Sequence, residues 1–152
     1  MSDVQVRIRN AQPADLAGLV SLLAALFAIE DDFVFDESRQ RLGLALMLAN
    51  ERGCVLVAET EGRVIGMCTG QLLVSTAEGG LSLLVEDVVV DEQWRGRGVG
   101  RLLIEAISDW ARAKQVSRLQ LLADRKNTPA LDFYRSLGWQ TTELICLRTS
   151  LP

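Results

Sequence analysis

Histidine is absent from all 152 residues. That gap removes Ser-His and Cys-His nucleophile pairs, imidazole-ligated zinc and histidine acid-base chemistry together. Any proton transfer must run through carboxylates, tyrosine, cysteine, lysine, backbone groups or water. Cysteine is scarce as well: Cys54, Cys68 and Cys146 lie far apart in apolar, strand-like runs. No metal-ligand spacing links them, so they read as buried free thiols in a reducing cytoplasm, and no metal site is expected. Positive charge is in deficit, with 16 Lys and Arg against 20 Asp and Glu and a net charge of -4. A nucleic-acid binder needs a basic face to displace counterions, so that class is set aside. No run of about 18 unbroken apolar residues occurs, so no membrane span is expected. Residues 1–9 alternate polar and apolar and carry no apolar core with a cleavage site, which argues against secretion.

What is present suits one folded domain over residues 1–152. Apolar residues make up 49% of the chain and charged ones 24%, which excludes disorder. Val4, Val6 and Ile8 alternate with polar residues and predict a first strand. Pro13 stands where a helix can start, and Leu16, Leu19, Val20, Leu23 and Phe27 recur at helical spacing. Asp36 is placed to cap a second helix carrying Leu42, Leu44 and Leu48. Strands are predicted at 54–59, 64–74 and 81–91, with turns at 60–63 and 77–80. Val99, Leu102, Leu103, Ala106, Ile107 and Trp110 predict an amphipathic helix. A strand at 119–123, a short helix at 129–137 and a last strand at 143–147 follow. The order β-α-α-β-β-β-α-β-α-β predicts an α/β (α+β) domain with a mixed sheet.

The strand ending at Val90 runs into Asp91-Glu92-Gln93-Trp94-Arg95-Gly96-Arg97-Gly98-Val99-Gly100, and the amphipathic helix follows at once. A glycine-rich turn into a helix start is an anion site in outline. First-turn amides are unpaired, the helix dipole favours negative charge, and glycines let a phosphate reach the backbone. Arg95 and Arg97 can add charge-assisted contacts. The bland alternative is a flexible turn with solubilising arginines, and the strand-to-helix context tells against it. A Walker loop requires Gly-x-x-x-x-Gly-Lys-Ser/Thr, which does not occur. The dinucleotide pattern Gly-x-Gly-x-x-Gly fails because Arg101 stands at its third glycine.

The run Arg95-Gly96-Arg97-Gly98-Val99-Gly100 resembles the Arg/Gln-x-x-Gly-x-Gly/Ala loop of the GNAT superfamily of acyl-CoA-dependent N-acyltransferases. The segment from Asn127 to Trp139 is similar to that family's Asn-x-x-Ala-x-x-Phe-Tyr-x-x-x-Gly-Phe motif, with Trp139 in place of the commoner Phe. The resemblance implies acetyl-CoA as acyl donor, bound in a V-shaped cleft. Amides of Arg95, Gly96, Arg97, Gly98, Val99 and Gly100 would hold the pyrophosphate, with Arg101 adjoining. Val88, Val89 and Val90 would pair with the pantetheine arm, and an amide near Val88 would polarise the thioester carbonyl. Asn127 is implied to contact the pantetheine or the phosphates, with a helix cap as the plainer role. Tyr134 is implied as the acid that protonates the departing thiolate, with a core aromatic as the alternative.

The base is less clearly marked. An amine with a pKa near 10.4 must shed a proton before attack, a penalty near pH 7 of about 4.6 kcal/mol at about 1.36 kcal/mol per unit. Glu86 and Asp87 stand inside an otherwise apolar strand, and alternation points them to opposite faces. The string Leu84-Val85-Glu86-Asp87-Val88-Val89-Val90 resembles the matching strand of diamine and polyamine acetyltransferases. Glu86 is assigned as base, acting through water, with Asp87 as the alternate or an anchor for the substrate amine. A solvent-facing carboxylate is the competing reading for Glu86. The acidic stretch from Glu30 and Asp31 to Glu37 falls where family members build the acceptor site, which together with Glu86 and Asp87 suggests a cationic amine, with a solvated loop as the alternative. Small molecules and protein amines both fit. A CoA-binding regulatory module without catalysis is the alternative function, and the strand at 143–147 leaves room for a homodimer.

Overall fold

The computed structural model describes residues 4–30 and 32–152. Two compact units are present, Met1–Leu121 and Leu122–Pro152. In the first, β1 (Arg7–Asn10) precedes α1 (Leu16–Ile29) and α2 (Glu37–Leu48). Then come β2 (Gly53–Thr60), β3 (Arg63–Ser75), β4 (Gly80–Val90), α3 (Val99–Ala113) and β5 (Arg118–Leu121). The five strands form one sheet in the order β1-β2-β3-β4-β5. The first four are antiparallel, and β5 joins parallel to β4 after the α3 crossover. This is the mixed sheet expected, because hairpins link consecutive antiparallel strands while a parallel neighbour needs a helix to return the chain.

Helices cover both faces. Leu19, Val20, Leu22 and Leu23 of α1 and Leu44 of α2 pack with Val55, Val57, Met67 and Val89. Adjacent strand residues point to opposite faces, and on the face away from Met67 the sheet meets α3. There Gly70 allows close approach, since a Cβ at that position would lie 2.9 Å from Ile107 Cδ1. Leu103 and Ile107 are fully buried at this contact. Seating α3 so tightly fixes where its N-terminus stands relative to the end of β4.

Several expectations shift at the edges. β1 starts at Arg7 rather than Val4 because its ladder needs β2, and Arg7 already pairs with Glu59, one residue from the end of that strand. Asp36 does cap α2, accepting from the Arg39 amide at 3.3 Å. Leu42, expected on the helix's apolar face, is exposed, so α2 buries Leu44. Cys54 and Cys68 are buried free thiols, whereas Cys146 is exposed.

The second unit holds α4 (Thr128–Ser136), where Pro129 occupies the first turn. The strand expected at 143–147 does not form, and Leu144, Ile145 and Leu147 are 70–87% exposed. Alternating apolar residues make a strand only against a partner ladder, and the described residues of this unit contain no other strand.

Candidate active site

Val90 at the end of β4 leads into Asp91, whose backbone N–H donates to the Ile65 carbonyl at 2.7 Å. The Asp91 carboxylate accepts from the Gln93 amide at 3.0 Å and pairs with Arg63 at 3.1 Å. These contacts anchor a single 3-10 turn, Glu92–Trp94. Gly96 and Gly98 then take φ values of 73° and 83°, in the left-handed region. Gly98 is the N-cap of α3, with no side chain to cap the helix, so the amides of Val99, Gly100 and Arg101 receive no side-chain cap. Beyond the adjoining residues, no atom lies within 4 Å of where a Cβ would stand at Gly96 or Gly98. Unpaired amides, the positive end of a 15-residue helix and open space in front of them make an anion cradle.

The three arginines around it are held differently. Arg95 Nε donates to the Val90 carbonyl at 3.0 Å, tying the loop back to the strand. Arg101 pairs along the helix with Glu105 at 3.0 Å. Arg97 is exposed, with its guanidinium 4.8 Å from the Trp94 ring centroid. Stacking on Trp94 restricts that side chain beside the cradle and leaves its N–H donors available to phosphate oxygens. The sequence motifs do not mark Trp94; its one signal is an aromatic three residues before an arginine in the same turn. Replacing Gly98 with Ala forces an L-residue to φ near 83° and puts a methyl into the cradle. About 1–2 kcal/mol of folding stability is expected to be lost to left-handed strain, and thermal unfolding checks this.

Upstream of the cradle, β4 is irregular. β3 pairs Met67 with Val89 but Thr69 with Glu86, so two residues, Asp87 and Val88, stand opposite Cys68. This is a β-bulge, and Asp87 occupies its strained position with φ 52°. The β4–β5 ladder ends just before it, at Val85 and Leu121, whereas β4 continues to pair with β3 as far as Val90. From Glu86 to Val90 the side of β4 away from β3 therefore carries backbone groups without a β5 neighbour. That opening leaves one edge of β4 free, and Val88, Val89 and Val90 lie along it. Val89 turns its side chain into the core on the α1 and α2 face.

The bulge also interrupts the simple alternation expected for the two carboxylates. Glu86 is exposed and Asp87 is half-buried. Burial above all, then the neighbouring Glu86 and, more weakly, Glu30, pushes the Asp87 carboxyl up to about 6 from an ordinary 3.8. The hydroxyl of Thr69 acts in the opposite direction at 3.4 Å from Asp87 Oδ2. Glu30 sits at the C-cap of α1, close enough to act electrostatically on Asp87. The structure thus brings Glu30, Glu86 and Asp87 into one negative region. Asp31 lies outside the described residues. Beyond it, Phe33 is 49% and Val34 90% exposed, so the acidic stretch carries an apolar tip.

In the second unit Asn127 is the N-cap of α4, its Oδ1 accepting from the Ala130 amide at 3.2 Å. Tyr134 is half-buried between aromatic neighbours, with ring centroids 5.1 Å from Phe133 and 5.6 Å from Trp139. Trp139, the departure from the motif, serves as one of those packing partners.

The sequence model of the acetyltransferase (GNAT) family matches residues 19–139. Among curated proteins, the chain is 29% identical to an aminoglycoside N(6')-acetyltransferase type 1 of Stenotrophomonas maltophilia, over 91% of this chain and 88% of that one. It is 27% identical to the glucosamine 6-phosphate N-acetyltransferase of Trypanosoma brucei brucei, over 92% of each. Among solved structures, an acetyltransferase from Agrobacterium tumefaciens superposes with a TM-score of 0.80 at 27% identity, covering 94% of this chain and 99% of that one.

Proposed function

We propose, starting from the premise that the chain belongs to the acetyltransferase (GNAT) family and moves an acetyl group from acetyl-CoA to an amine, that its acceptor is a small cationic amine and its base is Asp87. The observation that carries this reading is the half-buried Asp87 at the bulge, beside Glu86 and Glu30, where the β4 edge opens. Two relatives of similar identity have, by name, amino-sugar acceptors of opposite character: an aminoglycoside and a sugar phosphate. A region holding Glu30, Glu86 and Asp87 attracts an ammonium group and repels a phosphate. The cationic acceptor is therefore favoured.

The mechanism is direct transfer. The amides of Gly96 through Gly100, with Arg101 adjoining, hold the pyrophosphate, the Arg95 amide being taken up by the Glu92 carbonyl, and the free edge of β4 at Val88, Val89 and Val90 pairs with the pantetheine arm. An amide near Val88 stabilises the oxyanion as the amine attacks the thioester carbon. The ammonium gives its proton to Asp87, whose ordinary pKa would make it too weak a base and whose raised value narrows the gap. Glu86, the base expected from sequence, is exposed and better suited to steering the cationic acceptor inward, together with Glu30. Tyr134 protonates the departing thiolate. Asn127, with Oδ1 committed to the cap, keeps its Nδ2 donor for the cofactor. In this reading residues 1–152 act as one catalytic domain, and the free thiols of Cys54 and Cys68 fit a reducing cytoplasm. No described helix is long and apolar enough to cross a membrane. The exposed Leu144, Ile145 and Leu147 would be covered in a homodimer.

Thiol release from acetyl-CoA with a panel of amines tests the acceptor class. The panel comprises an aminoglycoside, a linear polyamine, glucosamine 6-phosphate and a peptide with a free N-terminus. The polycations should turn over at least about 10-fold faster in kcat/KM than the phosphate, a difference of about 1.4 kcal/mol. A preference for glucosamine 6-phosphate would overturn the proposal.

A further inference from the structure

Thr69 lies in the middle of β3, only 3% exposed, yet it is a polar residue in an otherwise apolar wall. Its Oγ1 is 3.1 Å from the Glu86 carbonyl oxygen and 3.4 Å from Asp87 Oδ2. A buried hydroxyl with both of its contacts at one bulge is not there for packing, which valine would serve as well. Threonine carries one hydrogen and two lone pairs, so it cannot donate fully to both oxygens at once. It can choose between them.

We propose that Thr69 is a positioning residue for Asp87, a hydroxyl rotor that satisfies the carboxyl both before and after it takes the proton. The inference rests on the reading of Asp87 as base. With Asp87 ionised, the Thr69 hydrogen points at Oδ2. When the ammonium N–H bond breaks and its proton moves to Asp87, the new carboxylic O–H donates to Thr69 Oγ1. The Thr69 hydrogen then swings to the Glu86 carbonyl. No bond to Thr69 breaks and the proton count is conserved, with the proton leaving later to solvent. Both positions also pin the bulge, since one target is the side chain at its left-handed residue and the other the carbonyl just before it.

The charges acting on Asp87 are Glu86 beside it and Glu30 at the end of α1, both acidic. Across the bulge stands Cys68, whose thiol burial holds in the protonated form. The hydroxyl is thus the group that favours the ionised carboxyl against burial and two negative neighbours.

The test is the titration of the Asp87 side-chain carboxyl by carbon NMR, which needs no acceptor, in the intact chain and in Thr69→Val, Thr69→Ser and Asp87→Asn. Alongside it, kcat/KM is followed against pH with acetyl-CoA and an aminoglycoside. In Thr69→Val both the titration and the acid limb should move up by about half a pH unit, the scale of one long hydrogen bond to a charged group. Thr69→Ser, which keeps the hydroxyl, should titrate as the native protein does, and the KM for acetyl-CoA should stay the same in both. Thr69→Ala replaces the valine variant if that one fails to fold. An unmoved titration in Thr69→Val, or an equal shift in Thr69→Ser, overturns the role of Thr69 while leaving Asp87 as base. Full turnover in Asp87→Asn overturns both.

Discussion

Replacing Asp87 with Asn is expected to slow acetyl transfer by about 10²–10⁴-fold, the range a positioned base supplies, while making the protein more stable at pH 8. The two effects share one cause. A carboxyl held at about 6 when folded, against an ordinary 3.8, is harder to ionise in the native state than in the unfolded chain. Between those values the unfolded chain binds fewer protons, so stability falls as pH rises from about 4 to about 6 and stays reduced above that. Asparagine removes the buried charge, still accepts from Thr69 through Oδ1, and tolerates the left-handed φ of 52°. The gap between the folded and ordinary values bounds the gain at roughly 3 kcal/mol, and some rearrangement will reduce it to about 1–2 kcal/mol. For a chain of this length that is about 2–8 °C in melting temperature. Thermal unfolding at pH 8 and pH 4 checks the sign: the gain should be present at pH 8 and mostly gone at pH 4. A variant that is slower but no more stable at pH 8 would mean that Asp87 is not held against its own ionisation.

Tyr134→Phe should lower kcat by about 10²-fold and leave the affinity for acetyl-CoA within about twofold, as removal of a general acid predicts. Phenylalanine keeps the ring that packs 5.1 Å from Phe133 and 5.6 Å from Trp139, so the second unit retains its aromatic cluster. A structural role alone would leave turnover intact, because the ring is preserved. Single-turnover kinetics together with acetyl-CoA titration by calorimetry separate the chemical step from binding. Unchanged turnover would remove Tyr134 from the reaction, and the thiolate would then take its proton from water.

The glycine-rich turn before α3 was legible because its physics is local. Gly96 and Gly98 supply left-handed turns, Val99 starts a helix with a strong apolar face, and the strand before them ends at Val90. Neighbours in the chain account for all of it. The Asn127 cap and the Asp36 cap were equally readable, since each contact spans only three residues. The strand expected at 143–147 shows the opposite case. Its alternation is real, but pairing depends on a partner that its own residues do not specify.

The different surroundings of Glu86 and Asp87 were hidden for the same reason. In the sequence they are adjacent carboxylates in one apolar strand, and strict alternation merely separates their faces. The bulge that half-buries Asp87 arises from the register between β3 and β4, set by packing on both sides of the sheet. Thr69 and Glu30 reach Asp87 from elements 18 and 57 residues away in sequence, a separation no local pattern reports. The helices, the left-handed glycine turn before α3 and the helix caps were thus determined by the sequence alone, because backbone conformation and hydrophobic period act between near neighbours. The half-burial of Asp87, the opening of β4 and the company of acidic groups were decided only by the tertiary structure. Burial, register and electrostatics depend on which distant segments come to lie together.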